Sequence, residues 1–251
     1  MKVDVLLSPS EYEHPTPGRF DGSVCVVFDV FRATSVMVTG LAHGARSFIP
    51  VLEIAEARQW REQHPEVLLA GERNGLRITS AVSGGVDFDL GNSPREYPAS
   101  VVAGKDIVTT TTNGTRALRA CVGAESILAA GLLNLRATAR WLERVKPQRL
   151  LLVCAGTGAN CALEDVLGAG ALLKRLEPTL KRNGWSDAAQ LVESAYRQAA
   201  DQLLEVVAHS QNGSRLLGQP DLRADVEFCL QRDVFDVVAQ MQADGRITLA
   251  H

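Results

Sequence analysis

The side chains best suited to chemistry follow an apolar run at residues 26–28. They are Asp29, Arg32, and Thr34 or Ser35, the last two being candidate N-caps of a helix. An aspartate offers hard oxygen ligands to a cation, and an arginine offers a planar fork of donors to an oxyanion. Alternatively, Asp29 and Arg32 form only a surface ion pair, which would contribute little. We favour a site for an anionic, phosphorylated substrate and a divalent metal, because similar arrangements recur along the chain.

An acid and an arginine appear again in a glycine-flanked loop at residues 71–75. The loop follows an apolar run at residues 67–70, and it contains Glu72 and Arg73. Two strands that each deliver an acid and a guanidinium into a loop would place them where open α/β sheets bind ligands. Glu72 is therefore a candidate catalytic or metal-binding carboxylate.

Asn92 and Ser93 precede a candidate helix start. Ser93, Pro94 and Glu96 have the types expected at the N-cap, the first helical position and a capping box. This structural role is sufficient to explain Ser93. The Gly91-Asn92 pair before it could still present its backbone to a ligand, and Asn92 and Ser93 are candidate substrate-binding residues.

A run of hydroxyl side chains ends another apolar strand. Strand-end hydroxyls, an Asn-Gly turn and the N–H groups of a helix start together predict an anion cradle, although threonine-rich strand ends are also common in plain β-structure. The order of the P-loop motif is missing, so nucleotide binding is not indicated. The candidate substrate-binding residues of this run are Thr110, Thr111, Thr112, Asn113, Gly114, Thr115 and Arg116.

Glu164 and Asp165 follow the most hydrophobic strand and its glycine-containing loop. Carboxylates near a helix start are stabilised by the helix dipole in any case, but as a pair beside a strand end they are also candidate metal ligands. Cys154 ends the same strand, and a nucleophilic thiol there is the less favoured alternative, since no histidine is near in sequence. We expect buried, reduced thiols for most of the five cysteines.

The elements that must position these residues alternate between strand and helix, which predicts an α/β fold with a largely parallel sheet and helices on both faces. Predicted strands cover residues 3–7, 47–51, 126–129, 149–154, 234–238 and 247–249, besides those already named. A long helix is predicted at residues 187–208, and shorter ones at residues 53–63, 134–145, 213–217 and 224–230.

Length and composition restrict the classes of function. The 251 residues are 46% hydrophobic and 22% charged, which is ordinary for a soluble globular protein. A chain of this length can form one domain or two intimate ones, and we expect a single α/β domain over residues 1–251. A net charge of −3 without long basic runs argues against nucleic-acid or membrane-surface partners. No apolar run reaches the ~18–20 residues that span a bilayer. Asp4 lies where a signal peptide would be apolar, so we expect a cytoplasmic protein.

Taken together, the motifs resemble the 2-phosphosulfolactate phosphatase family. Each motif is short, but five or more in order are specific as a set. The resemblance spans most of the chain, from about Val24 to the Asp225-Val226 region and beyond. Phe31 stands where an aliphatic residue is expected, and residues 83–86 vary from the usual pattern. The motifs are Asp29-Val30-Phe31-Arg32-Ala33-Thr34-Ser35, Gly71-Glu72-Arg73, Asp89-Leu90-Gly91-Asn92-Ser93-Pro94, Thr110-Thr111-Thr112-Asn113-Gly114-Thr115-Arg116, Cys154-Ala155-Gly156 and Glu164-Asp165.

The resemblance implies a three-layer α/β/α fold and a magnesium-dependent phosphatase. Its substrate would be (2R)-2-phospho-3-sulfolactate, hydrolysed to 3-sulfolactate and phosphate in a step linked to coenzyme M formation. Asp29 would bind Mg²⁺ or act as nucleophile, with Glu72, Glu164 and Asp165 as further metal ligands. Arg32 and the 110–115 turn would hold phosphate oxygens, and Arg73 or Arg116 would receive the sulfonate or carboxylate.

Several alternatives stay open at this point. Phe31 replaces the second aspartate of the Asp-x-Asp start used by haloacid-dehalogenase phosphatases, so either a phosphoaspartate or a metal-activated water fits. The protein could act on another small phosphorylated acid. It could also be a non-catalytic binding protein for phosphorylated or sulfonated metabolites. A homo-oligomer is compatible with the sequence.

Overall fold

A computed structural model describes residues 1–178 and 182–250, and these residues form an α/β fold. The strands are β1 (Lys2–Leu6), β2 (Ser23–Phe28), β3 (Ser47–Pro50), β4 (Leu68–Arg73), β5 (Leu76–Arg77), β6 (Asp106–Thr110), β7 (Ser126–Ala130), β8 (Arg149–Cys154), β9 (Ala239–Met241) and β10 (Ile247–Leu249). The helices are α1 (Ala33–Ala42), α2 (Ile54–Gln63), α3 (Ser80–Ser83), α4 (Ala99–Val102), α5 (Gly114–Ala120), α6 (Leu135–Val145), α7 (Leu163–Leu176), α8 (Asp187–Ala199), α9 (Leu203–Ala208), α10 (Gln211–Leu217) and α11 (Pro220–Cys229).

All ten strands belong to one mixed sheet, in the order β1-β8-β2-β7-β9-β10-β3-β6-β4-β5. The strands β1, β8, β2 and β7 are parallel to one another, and so are β3, β6 and β4. The hairpin β9–β10 lies between these two groups and pairs antiparallel with both. Three antiparallel pairings therefore separate β7 from β3, and the two groups run in opposite directions.

Helices pack on both faces of the first group, as alternate residues of β2 show. Val26 belongs to a core cluster with Leu172 of α7. Val27 points to the opposite face and belongs to a second cluster with Met37 of α1 and Leu118 of α5. Because successive side chains of a strand leave opposite faces, a strand that is apolar throughout requires cover on both sides. This confirms the predicted three layers.

Two predicted elements differ in the structure. The predicted helix at residues 187–208 is interrupted between α8 and α9, where the guanidinium of Arg232 donates to the carbonyl of Ala200. Residues 234–238 are not a strand. The N–H of Phe235 donates to the carbonyl of Leu133 at 2.9 Å, which holds this segment against the turn after β7, so that β9 begins only at Ala239.

Candidate active site

The loops that follow β2, β4, β6 and β8 converge at one site. Asp29 follows β2 and Glu72 lies near the end of β4. Asp165 lies in the first turn of α7, after β8, and its Oδ1 accepts from the N–H of Val30 at 2.8 Å. A methyl group built at Gly114, after β6, would lie 2.7 Å from Oδ2 of Asp29. The four regions that the sequence singled out are therefore in contact.

Asp29 is buried with one carboxylate oxygen held by the protein. Its Oδ1 accepts from the N–H of Ala33 at 3.1 Å, at the start of α1. Its Oδ2 has no hydrogen-bond partner among residues 1–178 and 182–250. Burial raises the pKa of Asp29 to about 7; the Ala33 N–H opposes this shift, and the charges of Glu72 and Glu164 add to it. Asp29 is thus a desolvated carboxylate surrounded by other carboxylates.

The predicted cap of α1 is wrong. The N-cap residue is Arg32, and neither Thr34 nor Ser35 caps the helix. The hydroxyl of Thr34 instead donates to the carbonyl of Asp29 at 2.9 Å and accepts from its N–H at 3.0 Å. The helix begins at Ala33, so the carboxylate of Asp29 satisfies the free N–H that a cap would otherwise take.

Glu72 joins two loops of the second strand group. Its Oε1 accepts from both the N–H and the hydroxyl of Thr112, at 2.9 and 2.8 Å. Its Oε2 accepts from the N–H of Gly75 at 2.7 Å. Arg73 lies beside it and donates to the hydroxyl of Thr110 at 3.0 Å. Glu72 therefore positions the loop after β6, and both of its oxygens are engaged.

Glu164 and Asp165 are also satisfied by protein donors. The second oxygen of Asp165 accepts from the N–H of Gly156 at 3.0 Å, and Oε1 of Glu164 accepts from the amide of Asn212 at 2.7 Å. Burial raises the pKa of both carboxyls, and Asp29 and Glu164 raise that of Asp165 further. Within the described part of the chain, no three His, Cys, Asp or Glu side chains form an arrangement that could hold a metal ion by themselves.

Arg32 is held in place by a carboxylate that sequence reasoning missed. Its Nη1 donates to Oδ2 of Asp225 at 2.7 Å, and its Nη2 donates to the carbonyl of Gly75 at 2.7 Å. Asp225 is fully buried and also accepts from the hydroxyl of Ser93 at 2.6 Å and from Nε of Arg95 at 2.8 Å. Asp225 is one acid among 29 and 193 residues from Arg32, so no local signal could reveal it.

Ser93 was predicted to cap a helix with its side chain, and the predicted hydrogen bond is absent. Ser93 precedes a 3₁₀ turn over Pro94–Glu96 but makes no side-chain cap. Its hydroxyl donates to Asp225 instead, because this fully buried carboxylate requires hydrogen-bond donors. Asn92 is buried beside it, and its amide has no hydrogen-bond partner within the described ranges.

The hydroxyls of the 110–116 run mostly serve the protein itself. Thr110 donates to the carbonyl of Leu52 at 3.1 Å, and Thr111 and Thr115 bond to each other's backbone. The N–H groups of Asn113 and Gly114 have no acceptor among the residues described, so the backbone of this turn remains able to bind an anion. Its last member, Arg116, points outward: it is 61% exposed and forms an ion pair with Glu13.

Cys154 does not qualify as a nucleophile. It is fully buried, and burial raises the pKa of its thiol well above the usual value. Of the other cysteines, only Cys161 is exposed.

No helix of the described residues is long and apolar enough to cross a membrane.

Comparison with known proteins gives one consistent family. A family model described as 2-phosphosulpholactate phosphatase matches residues 10–244. A protein of Thermotoga petrophila is 41% identical over 236 residues, covering 94% of this chain and 93% of its own, and one of Thermotoga maritima is 39% identical over the same length and shares. A protein of Pseudothermotoga lettingae is 36% identical over 248 residues, covering 99% of each chain. All three are named "Probable 2-phosphosulfolactate phosphatase". This chain therefore belongs to the 2-phosphosulpholactate phosphatase family of phosphoric monoester hydrolases.

Proposed function

We propose that this protein is a magnesium-dependent phosphatase that hydrolyses (2R)-2-phospho-3-sulfolactate to 3-sulfolactate and inorganic phosphate. The observation that carries the proposal is the convergence of buried carboxylates on Asp29, next to a fixed arginine, in a chain of this family. A phosphomonoester dianion resists attack until its charge is offset, so a phosphatase needs a cation and fixed donors around the transferring group.

Magnesium suits the donor set at Asp29. The free Oδ2 lies in a desolvated region of negative charge, where a divalent cation is favoured. Mg²⁺ commonly takes one or two carboxylates and completes its shell with waters and substrate phosphate oxygens, so a cluster of three protein ligands is not required. Asp29 would hold the ion, with Glu72 or Glu164 as second carboxylate and Asp165 behind Asp29. When bound, the ion would polarise the phosphoryl group and activate water.

The residues of the chain itself would orient the phosphoryl group. Two nitrogens of Arg32 are held by Asp225 and Gly75, which sets the plane of the guanidinium before the substrate binds. The N–H groups of Asn113 and Gly114 would donate to further phosphate oxygens. Arg73 lies beside Glu72 and would contact a second anionic group of the substrate.

Phosphate release from (2R)-2-phospho-3-sulfolactate, with Mg²⁺ or with EDTA, tests the proposal. We expect turnover with Mg²⁺, its loss with EDTA, and a fall in kcat of about 10²–10³-fold or more for Asp29→Asn, since the carboxylate would act at the reacting group. Asp201→Asn removes an exposed carboxylate and serves as the matched control.

The other outcomes separate the alternatives. Full turnover by Asp29→Asn would refute the site. Release from other phosphorylated hydroxy acids alone would identify a different phosphatase, and release from no ester would favour a binding protein. Borohydride reduction during turnover, followed by mass spectrometry of the peptide containing residue 29, distinguishes a phosphoaspartate from attack by water.

A further inference from the structure

Helix α10 brings to the site an arginine that the motifs did not include. Nη2 of Arg215 lies 3.5 Å from Oδ1 of Asn212, whose amide in turn donates to Glu164 at 2.7 Å. A methyl group built at Gly75 would lie 2.7 Å from Nη1 of Arg215. Gly75 is the residue whose N–H donates to Glu72 and whose carbonyl accepts from Arg32. Arg215 therefore contacts the same turn that holds two candidate catalytic side chains.

Arg215 and Arg73 differ from Arg32 and Arg116 in their charge balance, because neither has a carboxylate partner among the described residues. Arg32 is paired with Asp225, and Arg116 is paired with Glu13. Arg215 forms no ion pair within residues 1–178 and 182–250, although its charge stabilises the ionised form of Glu164 and so counteracts the rise in the pKa of that carboxyl. The side chain is exposed, so its guanidinium can meet a ligand that enters from solvent.

The substrate class needs such a cation. A phosphorylated sulfonated hydroxy acid carries a carboxylate and a sulfonate besides the phosphate that is transferred. The phosphate would be served by Arg32, the turn after β6 and the metal. A planar guanidinium without a carboxylate partner is well suited to either of the remaining oxyanions.

We propose that Arg215, oriented by Asn212, binds one of the two anionic groups of the substrate that are not transferred, and so sets specificity for polyanionic phosphate esters. The inference rests on the proposed function for the identity of the substrate. Sequence analysis gave Arg73 or Arg116 as the cation that receives the sulfonate or carboxylate. The inference keeps Arg73 as a candidate and replaces Arg116 by Arg215.

The test compares three esters with wild type, Arg215→Gln, Arg215→Lys and the control Arg223→Gln, which removes an exposed arginine of α11. The esters are 2-phospho-3-sulfolactate, 2-phospholactate, which lacks the sulfonate, and 2-phosphooxyethanesulfonate, which lacks the carboxylate. We expect Arg215→Gln to raise KM for the full substrate at least about tenfold, because hydrogen bonds between charged groups are strong. The ester that lacks the recognised group should show little change, and Arg215→Lys should recover part of the affinity.

Two results would overturn the inference. One is an unchanged KM for the full substrate in Arg215→Gln. The other is an equal loss with all three esters, which would indicate a structural role. If wild type does not hydrolyse 2-phospho-3-sulfolactate, the proposed function fails, and calorimetric titration with 3-sulfolactate decides the inference separately. Weaker binding to Arg215→Gln than to wild type and Arg223→Gln would then support it, and binding that is equally tight, or absent from wild type, would overturn it.

Discussion

At the scale of single residues, the site concentrates negative charge where water is excluded. Both carboxylate oxygens accept from protein donors in Glu72, Glu164 and Asp165, whereas Oδ2 of Asp29 has no partner among the described residues. Burial raises the pKa of Asp29 to about 7, because the one hydrogen bond from Ala33 does not offset the loss of water around the carboxylate. Of these four carboxylates, the one in the first motif is therefore also the one with the fewest hydrogen bonds to its side chain.

The raised pKa predicts how stability depends on pH in metal-free protein. The pKa of Asp29 is about 7 when folded and near 3.8 when unfolded, so folding favours the protonated form. Its contribution is fully present below about pH 4 and is lost as the pH rises to about 7, by about 1.4 kcal/mol for each unit of difference in pKa. Urea unfolding in EDTA should show that Asp29→Asn gains stability relative to wild type between pH 5 and pH 8. Parallel stability curves would contradict the prediction.

At the scale of elements, the starts of α1 and α5 meet at Gly114. A methyl group there would lie 2.6 Å from Cβ of Ala33 and 2.7 Å from Oδ2 of Asp29. A glycine is required at this point because any side chain would occupy the space of the carboxylate. The Asn-Gly pair that sequence analysis reads as a turn thus also determines how closely two helices approach.

Gly114→Ala should accordingly reduce activity more than stability. We expect overpacking to cost about 1–3 kcal/mol and the displaced Asp29 to lower kcat by about tenfold or more. Phosphate release and urea unfolding measure the two effects. Gly218→Ala, at a position with φ −72° whose nearest atom would be Ser214 O at 3.3 Å, is the control and should leave kcat unchanged. A wild-type kcat in Gly114→Ala would show that the approach of the helices does not matter.

At the scale of the whole molecule, the C-terminal hairpin holds together the two halves of the site. Asp29 and Asp165 come from the strand group of β2 and β8, while Glu72 comes from the group of β4 and β6. The strands β9 and β10 lie between these groups, and a single residue pair, Ile247 with Phe48, joins β10 to β3. The site therefore depends on residues more than 70 positions beyond its last motif.

Ile247→Ala should destabilise the whole protein by about 2–5 kcal/mol, since it removes a fully buried side chain at the junction. Leu249→Ala in the same strand is the control, because Leu249 is 39% exposed and should cost about 1 kcal/mol or less. Thermal unfolding followed by circular dichroism measures both. Equal effects of the two substitutions would show that the junction is not a point of particular stability.

Much of this protein can be inferred from sequence alone, because strand ends carry a local signal. Apolar β-branched runs that stop at polar residues identify β2, β6 and β8, and the residues that follow identify the family. Asp29 and Glu72 were selected in this way as candidate site residues, and their roles stay a prediction. The alternation of strand and helix likewise predicts the α/β class.

The partners of those residues are decided only by tertiary structure. Asp225 holds Arg32 across 193 positions, and Asn212 holds Glu164 across 48. Such pairs form when helices from the C-terminal part of the chain fold over the site, and neither periodicity nor spacing records which helix covers which loop. The candidate residues of the site could therefore be identified from short motifs. Their hydrogen-bond partners and the charge balance of the site follow from packing between distant segments, as does the position of Arg215, which has no ion-pair partner among the described residues.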